Sequence, residues 1–245
     1  MNTEVRIPVD GTFNFREPAG FQATNGVIRS GVLYRSDALK GLTDLGRTQL
    51  VELGVRTIID LRDDFEVKVQ PDAIDDLDID VVSLPVYEGT AAANSGPGIT
   101  LPAMYESMVL EHGAMLVSAL RLIAEHEDGA VLVHCTAGKD RTGIVVALAL
   151  RAVGVAREVV IADYAVSEQN LKGEWLHEML ALLGRYGIEE TPELRALMGG
   201  TPPDVMAGLL DLIDERYGSV GDYLISQGLT AAEIAELDNT LVASA

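Results

Sequence analysis

The stretch that most constrains the fold runs from Ala130 to Val155. After the turn residues Asp128-Gly129, Ala130-Val131-Leu132-Val133 is an unbroken apolar run, the mark of a strand covered on both faces. His134-Cys135-Thr136-Ala137-Gly138-Lys139-Asp140-Arg141-Thr142 follows, and Gly143 to Val155 is then apolar on most faces, as a helix buried between a sheet and its neighbours must be. A buried strand that feeds a buried helix needs further strands beside it and helices over both faces. That is an α/β architecture.

The rest of the chain supplies those partners. Val32 to Tyr34, the β-branched run Val55 to Leu61, and Ile79 to Leu84 read as strands. Between the first two, Thr43 is placed to cap a helix with Leu45, Leu50, Val51 and Leu53 on its apolar face and Gly54 at its end. Gly11 to Gly31 reads as an irregular opening, Ala91 to Gly98 as a mobile loop, and Tyr105 to Glu127 as one helical period. Strands alternating with helices predict a central, largely parallel sheet flanked by helices.

From Tyr164 onward the pattern is helical only. Leu171, Trp175, Leu176, Met179, Leu180 and Leu183 recur at helix spacing among glycines, which reads either as an ordinary packing face or as a movable helical cover, formed by 164–200, over the active site. Additional C-terminal helices over 201–245 open at Thr201-Pro202-Pro203 and end with a capping box, Thr230 and Glu233. The whole of 1–245 reads as a single domain, and 245 residues with 48% hydrophobic content suffice to bury one core.

The central loop defines a chemistry. A loop that enters a helix N-terminus can wrap an anion with unpaired N–H groups, and Gly138 permits the turn this requires. The same field, with Arg141 six residues on, favours a thiolate at Cys135. Arg141 offers a planar fork that holds two oxygens of a phosphate and follows them as phosphorus becomes trigonal. Thr136, Ala137, Gly138, Lys139, Asp140 and Arg141 are therefore expected to bind phosphate, and the Thr142 hydroxyl to assist departure of the sulfur. His134 is expected to orient the loop by hydrogen bonding. A formal net charge of −20 repels polyanions, which argues against nucleic acid and against anionic membranes. A phosphate must be drawn in by this local basic pocket.

The loop resembles the signature of the protein tyrosine phosphatase superfamily. Within it the chain is similar to a bacterial group of tyrosine, serine and lipid phosphatases whose loop reads His-Cys-x-Ala-Gly-Lys-Asp-Arg-Thr-Gly. Asn14-Phe15-Arg16, Leu33-Tyr34-Arg35-Ser36-Asp37-Ala38-Leu39, Ile59-Asp60-Leu61-Arg62 and Asp214-Glu215-Arg216-Tyr217-Gly218 extend the likeness over nearly the whole chain. The resemblance implies a protein tyrosine phosphatase-like α/β fold and attack by Cys135 through a cysteinyl-phosphate intermediate, with no metal and no cofactor. The substrate would be a phosphotyrosine or phosphoserine/threonine protein, or a phosphoinositide. The sequence lacks the Trp-Pro-Asp loop that carries the general acid in many relatives, and two carboxylates compete for that role. Asp140 is favoured because the loop fixes it; Glu88, on the segment after the third strand, is the rival. Asp37, Arg62 and Tyr87 line the pocket by analogy, although Asp37 and Arg62 serve equally well as loop ties.

A non-catalytic phosphate-binding module of the same fold is the alternative, and the intact Cys135, Arg141 and Thr142 weigh against it. No apolar run reaches the ~20 residues of a membrane span, and Met1 to Asp10 lacks the basic start and apolar centre of a secretory signal. A cytoplasmic monomer is expected. The single cysteine excludes an intramolecular disulfide.

Overall fold

The computed structural model describes residues 6–87, 100–126 and 128–244. A short antiparallel hairpin, β1 (Gln22–Ala23) and β2 (Gly26–Ile28), precedes the main sheet, which the chain enters through β3 (Leu33–Ser36). Helix α1 (Asp44–Glu52) starts where Thr43 accepts a hydrogen bond from the Gly46 N–H, and it leads to β4 (Val55–Asp60). Next come α2 (Asp64–Val69), β5 (Asp80–Ser83), α3 (Leu101–Glu111) and α4 (Gly113–Ala124). Strand β6 (Ala130–His134) then runs into the loop that precedes α5 (Arg141–Ala152). The remainder comprises α6 (Arg157–Leu171), α7 (Glu174–Arg185), α8 (Pro192–Gly199), α9 (Pro203–Tyr217), α10 (Val220–Ser226), α11 (Ala231–Leu241) and β7 (Val242–Ser244).

The strands of the main sheet lie in the order β3-β6-β4-β5 and pair parallel throughout, as the alternation of strands and helices predicts. Strand β6 is internal and its side chains alternate between two cores. Val131 and Val133 pack with α3, α4 and α5, whereas Ala130 and Leu132 pack with Tyr34, Ile58 and Leu50 of α1 on the other face. No position on such a strand meets water, which is why it reads as a continuous apolar run. Met206, Leu209 and Ile213 of α9, Tyr223 of α10 and Leu237 of α11 join the first core, so the C-terminal helices pack against the sheet domain itself.

Several expectations need correction. The period from Tyr105 to Glu127 is two helices, α3 and α4, bent by 75° at His112-Gly113. At the bend, Gly113 packs closely against the Gln227 side chain that follows α10, which a Cβ there would push aside. Among the described residues no single helix is long and apolar enough to cross a membrane. The region after Tyr164 is not purely helical, because β7 pairs with β2, Val27 opposite Ala243. That pairing also gives order to part of the opening read as irregular. Residue 164 lies inside α6, and α7 and α8 form the unit that stands apart. Their Trp175, Leu176, Met179, Leu180, Leu183 and Met198 make a separate cluster with Leu171 around Ala137 of the central loop. Glu88 and the Ala91–Gly98 segment fall outside the described residues.

Candidate active site

The loop is built from below. Gly138 adopts φ +66°, a left-handed conformation that favours glycine, and a Cβ there would lie 2.2 Å from the Ser36 carbonyl oxygen. Arg35 Nη2 donates to the Gly138 carbonyl at 2.8 Å, and Asn14 Nδ2 donates to the Ala137 and Gly138 carbonyls at 3.0 and 3.2 Å. With its carbonyls held from behind, the loop leaves its amides free. The backbone N–H groups of Thr136 to Asp140 donate to no acceptor among the described residues. Buried amides without partners are costly, and an anion would satisfy them together.

The two arginines beneath are held by one carboxylate. Asp163 on α6 accepts from Arg16 Nε at 3.0 Å and from Arg35 Nη1 at 2.6 Å, and all three side chains are buried. Burial would raise the Asp163 carboxyl, but the two guanidinium charges outweigh it and hold the group below its usual range. Arg16 is lowered to about 10, by burial first and by Arg35 second.

Cys135 is 1% exposed and ends the apolar column of β6. It lies in the floor of a cavity of about 250 Å³ with Thr136, Ala137, Lys139, Asp140 and Arg141. The walls are Glu66, Phe65, Val69 and Tyr87 on one side and Met179, Leu182, Leu183, Tyr186, Ile188 and Met198 of the α7–α8 unit on the other. Arg141 is fixed by Glu66, with Nη1 to Oε2 at 2.5 Å, Nη2 to Oε1 at 2.7 Å, and a further bond from Nη1 to the Leu61 carbonyl at 3.2 Å. Three of its five N–H donors are thereby used. The Nε–H and the second Nη2–H remain, forming one edge of the guanidinium, which matches two oxygens of a phosphate. Its charged form is strongly favoured: burial opposes it, and the Glu66 hydrogen bonds, with the electrostatic influence of neighbouring Cys135 and Tyr87, overcome that opposition. Glu66 is correspondingly lowered, since its bonds to Arg141 and Thr136 outweigh burial. The Arg141 guanidinium also stands 5.3 Å from the centre of the Tyr87 ring.

Asp140 Oδ1 accepts from Lys139 Nζ at 2.8 Å and from the Tyr105 hydroxyl at 2.8 Å. Lys139 is 1% exposed and its Nζ also donates to the Leu197 carbonyl of α8 at 3.0 Å, so it is no solvated loop lysine. The Thr142 hydroxyl is fully buried and finds no hydrogen-bond partner among the described residues.

Two assignments are corrected. Neither Asp37 nor Arg62 lines the cavity; both are ties, the second of the two roles open to them. Asp37 Oδ1 accepts from the Phe13 and Asn14 N–H groups at 2.9 and 2.7 Å, and burial raises its carboxyl. Arg62 is locked against Asp60 and Asp72, with Nη2 at 2.7 and 2.6 Å from their Oδ2 atoms, and donates to the Gln70 carbonyl at 2.7 Å. Beside that pair, His134 Nε2 faces Asp72 at 3.3 Å, an off-axis ion contact that orients the residue before the nucleophile. Asp60, Asp72 and His134 are close enough to ligate a metal, but the guanidinium of Arg62 already supplies the positive charge there.

Sequence reasoning missed Glu66, Asp72, Tyr164 and Asp163. The local signal for Glu66 was its capping box with Asp63. The others carry none, because they meet the loop only through the tertiary fold.

A thiol at the end of a buried strand, a ring of unpaired amides and an arginine edge at the head of the next helix define a cysteine-dependent phosphatase. The chain belongs to the tyrosine phosphatase family, whose profile matches residues 7–243. It is 30% identical to the triple specificity protein phosphatase PtpB of Mycobacterium tuberculosis, across 95% of this chain and 97% of that one. It is also 32% identical to the tyrosine-protein phosphatase of Nostoc commune, across 86% of this chain and 74% of that one.

Proposed function

We propose that this phosphatase hydrolyses aryl phosphomonoesters, phosphotyrosine in proteins above all, through a cysteinyl-phosphate intermediate. The observation that carries this reading is the contrast within the cavity. Its floor holds Cys135, free amides and the open edge of Arg141, whereas its walls are the apolar and aromatic side chains of Phe65, Val69, Tyr87, Met179, Leu182 and Tyr186. A phosphate fits the floor and an aromatic ring fits the walls.

The chemistry follows in two steps. The Cys135 thiolate attacks phosphorus as the bond to the phenolic oxygen breaks, and Asp140 gives its proton to that oxygen. Water then attacks the same phosphorus and gives a proton to Asp140; the S–P bond breaks and the thiolate is restored. The amides and Arg141 carry most of the stabilisation, because they are in place before charge develops on the equatorial oxygens. The Thr142 hydroxyl, next in sequence to Arg141, is assigned to assist the departing sulfur from its position alone; at rest it bonds to no acceptor among the described residues, Cys135 Sγ included. A phosphoinositide remains the second reading, supported by Lys139: released from the Leu197 carbonyl, its ammonium would meet a further phosphate.

The test is phosphate release from p-nitrophenyl phosphate, a phosphotyrosine peptide and phosphoinositide vesicles. Wild type is expected to favour the peptide over the vesicles, and Cys135→Ser to release nothing while still binding inorganic phosphate. Asp140→Asn is expected to lose the basic limb of the pH–rate profile, and Glu88→Gln to keep it. Absence of release by folded wild type would leave a phosphate-binding module instead, and a preference for the vesicles would reverse the substrate order.

A further inference from the structure

The Asp140 carboxyl is divided between two tasks. Oδ1 is saturated by Lys139 and Tyr105, whereas Oδ2 has no partner among the described residues and Asp140 lines the cavity. Behind Tyr105 stands Tyr164 of α6, its hydroxyl 2.9 Å from that of Tyr105 and the two rings edge to face at 6.1 Å. A phenol has one proton to give. When Tyr105 gives its own to Asp140 Oδ1, the proton between the two hydroxyls must come from Tyr164, and the chain runs one way: Tyr164 to Tyr105 to Asp140.

We infer that Tyr105, backed by Tyr164, is a positioning residue that fixes Asp140 with its second oxygen presented to the leaving group. The inference rests on the assignment of Asp140 as the acid. Without Tyr105 the carboxyl would be held by Lys139 alone, and Lys139 is also bound to α8. A carboxyl free to turn presents its proton in the required direction only part of the time, and catalysis by proton transfer is sensitive to such misplacement. Charged and phenolic neighbours surround this chain on both sides. Arg141 and Tyr87 flank Asp140 from α5 and from the segment after β5, and Arg35 and Asp204 face Tyr164. Burial raises both Tyr105 and Tyr164, so the two phenols remain donors.

A structural tyrosine and a positioning one differ in how their loss depends on the leaving group. The experiment measures kcat and KM for a series of aryl phosphates from 2,4-dinitrophenyl, which departs without a proton, to phenyl, which needs one. For Tyr105→Phe, kcat is expected to fall on the order of tenfold on phenyl phosphate and to stay near wild type on the dinitrophenyl ester, with KM unchanged. Tyr164→Phe should show the same trend more weakly, and it serves if Tyr105→Phe unfolds. Asp140→Asn is expected to show the steepest dependence, about 10²-fold on phenyl phosphate. An equal loss on every ester, or none, in the tyrosine variants beside a steep Asp140→Asn series would overturn the positioning role alone. A flat Asp140→Asn series would remove the acid assignment and the inference with it.

Discussion

Arg141 is usable as a phosphate ligand because Glu66 holds the other edge of its guanidinium. Glu66 and Arg141 are both buried, and removing one member of such a pair leaves an uncompensated charge. Glu66→Ala is expected to cost about 3–5 kcal/mol in urea unfolding, and Glu66→Gln, which keeps the shape, to lower kcat/KM more than it lowers stability. His134 adds a pH dependence of definite sign. Burial disfavours its charged form, but Asp72 and Asp60 outweigh that and the imidazole is raised above its ordinary value of 6.5. Its stabilisation is therefore complete below pH 6.5 and is lost as pH rises through the raised value. Urea unfolding at a series of pH values above 6.5 should show stability declining, and Asp72→Asn should flatten the decline. Cys135 and Arg141 were legible because their roles follow from a spacing of six along one loop. Glu66 was not, since it lies 75 residues from Arg141 in sequence and only the fold brings its carboxylate to the guanidinium.

At the level of elements, the central strand, loop and helix work as a single part clamped from behind by β3. Ala38 N–H donates to the Thr136 carbonyl, Arg35 and Asn14 hold the carbonyls of Ala137 and Gly138, and Gly138 passes directly over the Ser36 carbonyl. Gly138→Ala would place a side chain in a left-handed conformation, costing about 1–2 kcal/mol, and would force β3 and the loop apart. A near-complete loss of turnover is expected, with a much smaller fall in the unfolding midpoint; equal falls in both would mean that the loop geometry matters to stability alone. The parallel strands were legible because two buried faces leave an unbroken apolar record. The β1–β2–β7 sheet left none, since strands of two or three residues depend on a partner from the opposite end of the chain. The bend between α3 and α4 was hidden for a related reason: the apolar period continues across His112, so the corner at Gly113 shows only in the fold.

Over the whole molecule, a net charge of −20 surrounds a cavity whose floor carries Arg141 and Lys139, so attraction of a phosphate is confined to the pocket itself. That confinement was legible in composition, because a strongly acidic chain repels a phosphate at a distance and leaves its capture to a local basic pocket. The α7–α8 wall was legible only as one of two readings, a packing face or a helical cover, since a stripe of leucines and methionines does not announce which surface it will cover. Exposed Phe65 and Tyr186 meet edge to face at its rim, joining α2 to the end of α7. The same wall helps enclose the one thiol in the sequence, and this bears on oxidative damage. Peroxide that reaches Cys135 converts it to a sulfenic acid, and no second cysteine exists to capture that sulfur as an internal disulfide. Repair must come from an external reductant that enters the 250 Å³ chamber. Recovery of activity after brief peroxide treatment should thus be faster with a compact thiol such as mercaptoethanol than with a protein reductant such as thioredoxin at equal reducing strength. Equal rates would show that the chamber does not select its rescuer.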